Sequence, residues 1–413
     1  MTSLPIPDPD VFGREARLGD RGLFPELEAR AYLNHSGIAA PSAPVRLAVE
    51  ALLSDYAKVG YAAYLPWRDQ RERLRSKIAA LIAASPDDIA FTQSTTRGVS
   101  DIALCIPWKP KDRIVLFLGE FPSNVTPWQR VASVFDLDVT FLSLTGFDGD
   151  AALGIAELEA DLARGVRLVA VSAVQFQTGL RMPLDAMTAL CHSYGAELFV
   201  DGIQACGAVP LDVSATRVDY LACGSHKWMM GLEGAGFVYI RPDRLPVLRP
   251  AVAGWLSHED GLDFLFQGPG HLRYDRPIRK RADFLEAGNL SAVSCAALGA
   301  SLGLIHQLGV PAIYKHVNGY LDKLEAGLLE RGFESLRSKH PERRSCILGV
   351  HPPRGVPLVA LHQSLVAQGV ACSIPDGVLR FAPHWPNPTT EVETVLLAVD
   401  AAVSSAAPLS RRS

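Results

Sequence analysis

VDYLACGSHKWMMGLEGAGFVYI (218–240) is the segment that decides the fold of this chain. Its two apolar parts, 218–224 and 234–240, have the composition of buried β-strands, and a polar turn that contains His226 and Lys227 separates them. A lysine between histidine and tryptophan, directly after a strand, is not a typical surface pattern. Neighbours that desolvate a lysine or hold positive charge lower its pKa, as a lysine that forms a Schiff base requires. The structural alternative is a lysine that extends its amine to solvent from a sheet edge.

Upstream of this segment, short apolar runs rich in β-forming residues alternate with helical patterns. The strand-like runs are DRIVLFLG (112–119), RLVAVSAV (167–174) and AELFVD (196–201). Residues 185–195 have the spacing of a helix and end at Gly195, which is typical of a helix C-terminus. This alternation predicts an α/β fold in which helices cover both faces of a mostly parallel sheet.

The length and the later part of the chain predict more than one domain. A chain of 413 residues exceeds the size at which a single hydrophobic core keeps growing. A stretch rich in Pro, Gly and Arg (241–283) interrupts the pattern, and long helical patterns follow at 292–309 and 312–332. A shorter α+β pattern comes after them. We therefore predict an N-terminal arm (1–30), a large domain (31–283) and a smaller C-terminal α+β domain (284–413).

Composition and charge exclude several classes of protein. The chain is 48% hydrophobic and 20% charged, and no apolar run approaches the roughly 18 residues that span a bilayer. The formal charge is −4 and no segment clusters Lys and Arg, so we expect neither a membrane nor nucleic acid as partner. The N-terminus does not resemble a secretory signal, so we expect a cytoplasmic protein. The seven cysteines are widely spaced without a Cys-x-x-Cys pair, which predicts free thiols and no metal site.

A second polar segment follows the strand-like run DDIAFTQ (87–93). It reads STTRG (94–98), and residues with helical spacing come next. Free backbone N–H groups and two hydroxyl groups would converge at the start of that helix, where a phosphate binds well. The alternative is a plain Ser/Thr N-cap, which is common.

A single acidic residue, Asp201, ends the apolar run of ELFVDGIQACGAVPLDV (197–213). A carboxylate in that position would have almost no contact with water. Because an unpaired buried charge is costly, Asp201 is expected to meet a cation, and a protonated pyridine nitrogen is one group that fits. A turn or helix-capping aspartate is the alternative.

The three segments, in this order and spacing, resemble the class V aminotransferase family of fold-type-I enzymes that use pyridoxal 5′-phosphate (PLP). Cysteine desulfurases, selenocysteine lyases, kynureninases and isopenicillin N epimerases belong to it. The resemblance runs from AYLNHSG (31–37) to VLRFAPHWPN (378–387), nearly the whole chain. It implies PLP as cofactor, an amino acid as small-molecule substrate, and a large domain with a mostly parallel seven-stranded sheet flanked by helices.

The resemblance also implies a set of cofactor contacts. Lys227 would form the Schiff base and act as a general base, and Asp201 would keep the pyridine nitrogen protonated. Thr95 and Thr96 would hold the phosphate. The other implied contacts are Gln204 and Gln175 near the ring hydroxyl, Ser225 and His226 at the phosphate, and Phe121 stacked on the ring.

The substrate side is implied by two further segments. Arg380 in VLRFAPHW matches the arginine that binds the substrate α-carboxylate, with a surface arginine as the alternative. His35 and Ser36 in the segment NHSG are expected to line the same side.

A shared active site is a further implication of the family. The segments AGWLS (253–257) and FLEAGNLS (284–291) look like parts that a neighbouring subunit supplies. We therefore expect a homodimer, with Asn289 near the phosphate in the other subunit.

Two departures from the desulfurase pattern bear on the reaction. Phe121 stands where desulfurases have histidine, and a benzyl ring stacks but transfers no proton. Desulfurases also present a nucleophilic cysteine in a motif like R-x-G-x-x-C, whereas the stretch GVACSIPDGVLR (369–380) lacks that arrangement. Cys372 lies in its strand-like part, which favours a structural role.

Several reactions stay open on these residues. The lead hypothesis is C–S bond cleavage by β-elimination from a cysteine-derived substrate, without a catalytic cysteine. Transamination of a small or specialised amino acid comes second and epimerisation third. A PLP-fold protein that regulates or scaffolds without turnover is the reading from another class, and the presence of Lys227, Asp201 and Arg380 together argues against it.

Overall fold

The computed structural model describes residues 15–406, in which strands and helices alternate along the chain. The strands are β1 (Ala31–Tyr32), β2 (Ile89–Thr92), β3 (Arg113–Phe117), β4 (Asp138–Leu142), β5 (Leu168–Ser172), β6 (Glu197–Asp201), β7 (Tyr220–Gly224), β8 (Gly236–Ile240), β9 (Glu334–Ser335), β10 (Leu348–His351), β11 (Val370–Ala371) and β12 (Leu379–Phe381). The helices are α1 (Ala43–Val59), α2 (Tyr64–Leu81), α3 (Thr95–Cys105), α4 (Thr126–Phe135), α5 (Ala152–Leu162), α6 (Leu184–Ser193), α7 (Val213–Thr216), α8 (Asp263–Phe266), α9 (Ala292–Leu308), α10 (Val310–Glu330), α11 (Leu358–Ala367) and α12 (Glu391–Ala406).

Seven strands form the central sheet, in the order β2-β8-β7-β6-β5-β3-β4. Neighbouring strands are parallel except that β8 runs antiparallel to β2 and β7. The predicted α/β fold with a mostly parallel seven-stranded sheet is confirmed, and the predicted strands are present as β2, β3, β5, β6, β7 and β8. The helix predicted at 185–195 is α6, and Gly195, just beyond its end, has a φ of 74°.

Both faces of the sheet are apolar, which explains why its strands read as continuous hydrophobic runs. In β5, Leu168 and Ala170 belong to one buried cluster, while Val169 and Val171 belong to another. Helix α3 contributes to the first cluster and α6 to the second, so helices cover both faces.

The carboxyl ends of the parallel strands lie at one edge of the sheet. The register pairs Ser172 of β5 with Asp201 of β6, and Asp201 with Ala222 of β7. Strand β2 runs in the same direction, because it is antiparallel to β8. The N-terminus of α3 after β2 and the turn with Lys227 after β7 therefore meet at this edge, where open α/β sheets bind their ligands.

The C-terminal part has its own antiparallel sheet, in the order β12-β10-β9, and α12 packs against α10 and α11. Strand β1 pairs in parallel with β11, so the chain near residue 31 contacts the C-terminal part. Helix α9 packs against α1 and α2. The domain limits 1–30, 31–283 and 284–413 stay a prediction, and residues 1–14 of the arm lie outside the described residues.

Helices α9 and α10 follow each other directly in the chain. Over residues 15–406, no single helix is long and apolar enough to cross a membrane, and this pair meets that criterion only when joined. The two helices are bent by 79° at their junction, where Gly309 has a φ of 77°. Most of the side chains of α9 are buried inside the protein.

Candidate active site

A cavity of about 330 Å³ lies at the carboxyl edge of the sheet, within the size range of small-molecule sites. Its walls come from the N-terminus of α3, the loops after β3, β5, β6 and β7, and the segment before β12. The predicted site residues that line it are Ser36, Thr95, Thr96, Phe121, Gln204, His226, Lys227 and Arg380.

The amine of Lys227 faces this cavity. Burial lowers the pKa of Lys227 to about 8, the carboxylate of Asp201 opposes that change, and the cation of Arg380 adds to it. The amine lies 5.3 Å from the centre of the Phe121 ring. A lysine in this state is a nucleophile and a proton acceptor close to neutral pH.

Asp201 lies beneath the cavity at the end of β6, with 1% of its surface exposed. One carboxylate oxygen accepts a hydrogen bond from the N–H of Ile203 at 2.9 Å. Burial raises the pKa of Asp201 to about 6, while that hydrogen bond and the charge of Lys227 oppose the rise. A cation brought to this carboxylate would lower its pKa further.

The start of α3 has the N-cap that is one interpretation of its sequence, and it also presents hydroxyl groups to the cavity. Ser94 is the N-cap, and its hydroxyl oxygen accepts from the N–H of Arg97 at 3.1 Å. The hydroxyl of Thr95 accepts from the N–H of Gly224 at 2.9 Å, which joins α3 to the end of β7. The hydroxyl of Thr96 donates to Ser123 at 3.0 Å. These hydroxyl groups converge on the cavity together with the positive end of the helix dipole.

Arg380 is a buried cation on the substrate side of the cavity, with 6% of its surface exposed. Its guanidinium donates to the carbonyl of Phe176 at 2.7 Å and to the hydroxyl of Ser373 at 3.1 Å. Within residues 15–406 it forms no ion pair with an acidic side chain. Burial lowers the pKa of Arg380 to about 10. A buried cation without a carboxylate partner fits an anionic ligand.

Ser36 and Gln204 lie next to each other in the wall. The amide of Gln204 donates to the carbonyl of Ser36 at 3.1 Å and accepts from the indole N–H of Trp228 at 2.7 Å. The hydroxyl of Ser36 is buried and has no hydrogen-bond partner. Because buried polar groups are normally satisfied, this orphaned hydroxyl indicates a place for a polar ligand.

Besides Asp201, four predicted residues do not line the cavity. His35 is 1% exposed, its Nδ1 faces the carbonyl of Ala382 at 3.1 Å, and burial lowers its pKa to about 4. The amide of Gln175 is engaged by Gly119, Gln177 and Thr178. The hydroxyl of Ser225 donates to the carbonyl of Leu232. Asn289 lies in a different cavity, whose walls include Tyr56, Trp67 and Arg71.

Phe176 and Glu120 are two of the residues in or beside this site that the sequence-based prediction did not include. Phe176 lines the cavity and packs edge-on against Phe121, with ring centres 5.4 Å apart. Glu120 accepts hydrogen bonds from the backbone N–H and the hydroxyl of Ser172 at the end of β5. Glu120 carries the same sequence signal as Asp201, an acid that follows an apolar strand, and that signal could have found it.

A larger cavity of about 750 Å³ exists elsewhere, lined by residues such as Arg181, Pro183 and Asp212. It contains none of the predicted site residues. We place the site in the smaller cavity because two side chains with lowered pKa values line it. They are Lys227 and Arg380, and Arg380 has no acidic partner among residues 15–406.

The family profile described as Aminotransferase class-V matches residues 67–375 of the chain. The chain belongs to the class V aminotransferase family. It is 26% identical over 375 residues to an uncharacterized aminotransferase, YcbU, of Bacillus subtilis, covering 90% of this chain and 94% of that protein. It is 33% identical over 249 residues to a cysteine desulfurase of Dickeya dadantii, covering 59% of this chain and 57% of that protein.

Two solved structures have the same fold as this protein, with TM-scores above 0.8. A structure of the cysteine desulfurase CsdA from Escherichia coli has a TM-score of 0.81 at 22% identity, over 94% of this chain and 98% of that one. A complex of the cystine C–S lyase C-DES with cysteine persulfide has a TM-score of 0.82 at 24% identity, over 92% and 98%. These likenesses concern the fold alone.

The protein is a PLP-dependent enzyme, as its family membership implies. The donor set of the cavity fits that cofactor. It offers an amine of lowered pKa, a buried carboxylate beneath, hydroxyl groups at a helix N-terminus and an orphaned hydroxyl of Ser36.

The lowered pKa of Lys227 predicts how the cofactor-free protein takes up PLP. Only the neutral amine attacks the aldehyde, so the rate of covalent attachment is expected to rise about tenfold per pH unit below pH 8 and to level off above it. The measurement is the rate at which the visible absorption of bound PLP grows at each pH; divided by the rate for a simple amine of ordinary pKa, it should be constant below pH 8 and fall above it. An inflection near the ordinary lysine pKa would contradict the prediction.

Proposed function

We propose that this class V enzyme cleaves a C–S bond by β-elimination from a cysteine-derived amino acid. The substrate would lose its α-proton and the sulfur substituent on its β-carbon. The sulfur leaves as a thiol, and the remaining aminoacrylate hydrolyses to pyruvate and ammonia.

The state of the cysteines carries this proposal. All seven lie among the described residues, all are buried, and none lines the cavity. Cys372, the thiol in the stretch that corresponds to the desulfurase motif, is 6% exposed, and burial raises its pKa to about 12. A thiol in that state is a poor nucleophile. A protein-bound persulfide is therefore disfavoured, and the sulfur is expected to leave on a small molecule.

The roles of the residues follow from their positions. PLP withdraws electrons from the α-carbon of a bound amino acid. Lys227, whose pKa lies close to neutral, would take the α-proton, and Asp201 would keep the pyridine nitrogen of the cofactor protonated. Arg380 binds the substrate carboxylate. Phe121 would pack on the cofactor ring, and Thr95 and Thr96 would hold the phosphate.

The decisive experiment measures products from a panel of cysteine, cystine and cysteine S-conjugates. Release of pyruvate, ammonia and the sulfur product in equal amounts, without a keto acid present, supports elimination; that product is hydrogen sulfide from cysteine, a persulfide from cystine and a thiol from an S-conjugate. Turnover that needs a keto acid, with no thiol released, would refute it. Treatment of the folded enzyme with a thiol-alkylating reagent before the assay is the control, because every cysteine is buried and the rate should stay unchanged.

Transamination is the second candidate, favoured by one observation. The similarity to the Bacillus subtilis protein described as an aminotransferase spans 90% of this chain, further than the similarity to the Dickeya dadantii desulfurase. Formation of the pyridoxamine cofactor, reversed by a keto acid, would establish it.

Replacement of Cys372 by alanine is expected to change kcat/KM by less than about twofold, because the thiol is buried and does not reach the cavity. Steady-state kinetics with the best substrate of the panel measure this. Cys346→Ala is the matched control, since Cys346 is also buried and lies outside the cavity. Complete loss of activity in Cys372→Ala alone would restore the desulfurase mechanism.

Replacement of Arg380 by alanine is expected to raise KM about 10²-fold with a smaller change in kcat, because the bidentate contact with the substrate carboxylate is lost. The same kinetics with a substrate whose carboxylate is replaced by an amide provide the control. Wild type and variant should process that analogue equally. If Arg380→Ala left the KM for the unmodified substrate unchanged, the substrate carboxylate would have to bind at a residue other than Arg380.

We also propose that the enzyme is a homodimer with shared sites. Asn289 lies outside the cavity of its own chain, beside Tyr56 and Trp67, as expected if it serves the other subunit. Light scattering tests the mass. If sites are shared, mixing the inactive variants Lys227→Ala and Asn289→Ala should restore activity, because one site of each mixed dimer is native. No recovery after verified subunit exchange would contradict a shared site.

A further inference from the structure

Glu120 is an acidic residue that the roles above leave unexplained. It precedes Phe121 in the loop after β3. The residue is partly exposed, but its carboxylate is directed at buried groups. One oxygen accepts from the backbone N–H of Ser172 at 2.7 Å. The other accepts from the Ser172 hydroxyl and from the side-chain amide of Asn124 at 3.3 Å.

Its partners belong to two parts of the site. Ser172 ends β5 and is in register with Asp201, and the next N–H, that of Ala173, donates to the carbonyl of Asp201 at 2.9 Å. Asn124 is fully buried, and its backbone N–H donates to the carbonyl of Phe121 at 2.9 Å. The carboxylate thus joins the loop that carries Phe121 to the strand end beside Asp201.

This arrangement has an electrostatic cost. Burial raises the pKa of Glu120 to about 7, the hydrogen bonds from Ser172 oppose the rise, and the nearby carboxylate of Asp201 adds to it. In a medium of low dielectric constant, the negative charges of Glu120 and Asp201 disfavour each other. The three donors around Glu120 offset that cost, which is typical of a side chain held for its hydrogen bonds.

Phe121 needs such support. The residue is 42% exposed, and its ring packs edge-on against that of Phe176 with ring centres 5.4 Å apart. We propose that Glu120 is a positioning residue that acts through Phe121, tying the loop after β3 to β5 so that the ring is held against PLP. The proposal rests on the stacking role proposed for Phe121.

The dissociation constant of PLP and the circular dichroism of its visible band test this role in the reconstituted enzyme. Glu120→Ala is expected to weaken PLP binding about tenfold, because charge-assisted hydrogen bonds that hold the loop are lost. Glu120→Gln should stay within about twofold of wild type, since its amide oxygen can still accept from Ser172. Phe121→Ala should weaken binding as well, and the double variant should be no worse than Phe121→Ala alone.

Three results would overturn the inference: unchanged binding and dichroism in Glu120→Ala, a Glu120→Gln variant as impaired as Glu120→Ala, or additive effects in the double variant. If Glu120→Ala fails to fold, Ser172→Ala removes one donor, and about threefold weaker binding is expected. Unchanged binding in that variant would also contradict the tie. PLP affinity does not depend on the reaction, so elimination and this inference can fail separately.

Discussion

Lys227→Ala is expected to lower turnover about 10³-fold or more and to abolish covalent attachment of PLP. The variant lacks both the amine that attaches the cofactor and the base that takes the substrate proton. Reduction with borohydride followed by mass spectrometry should find the cofactor mass on Lys227 in the wild type and nowhere in the variant. Steady-state kinetics give the loss of turnover.

The control for this experiment is Lys315→Ala, because Lys315 is an exposed lysine of α10 outside the cavity. It should keep the covalent adduct and the wild-type rate. An adduct that persisted in Lys227→Ala would mean that another lysine holds the cofactor.

Asp201→Asn is expected to retain bound PLP yet lose about 10²-fold to 10³-fold in turnover. Asparagine keeps the shape of the side chain and its contact with Ile203, but it cannot hold a proton on the pyridine nitrogen by charge. The same variant should lower the pKa of Lys227 below about 8, since the carboxylate of Asp201 is what raises it. The pH profile of PLP attachment would report that shift.

A second buried aspartate separates this role from a general loss of stability. Asp161 is 6% exposed and pairs with Arg113 at 3.2 Å, away from the cavity. Asp161→Asn should lose stability without a specific loss of turnover in the folded fraction. Near-normal activity of Asp201→Asn would remove Asp201 from the mechanism.

The sheet and much of the cavity wall could be predicted from the sequence, because both obey local rules. Buried parallel strands read as apolar runs, and polar residues directly after them, such as Asp201 and Lys227, reach the ligand edge. The position of Thr95 in the cavity wall, at the start of α3, could be predicted by the same rule.

Other features depend on contacts between distant segments, which no local pattern reveals. Ser225 follows a strand like Lys227, but its hydroxyl turns to Leu232. His35 sits in a polar segment and is nevertheless buried against Ala382. Glu120 carries a local signal, an acid after an apolar strand, but its partner Ser172 is 52 residues away in sequence and no local pattern pairs the two.

Analysis of the cofactor after a single turnover tests the central claim, elimination from a cysteine-derived substrate. The enzyme is mixed with a limiting amount of the best substrate, without a keto acid, then quenched with acid. The two forms of the cofactor are separated and quantified. Elimination should leave PLP unchanged and give one pyruvate for each substrate consumed. Conversion of PLP to pyridoxamine 5′-phosphate in equal amount, with no pyruvate, would contradict elimination and identify an aminotransferase.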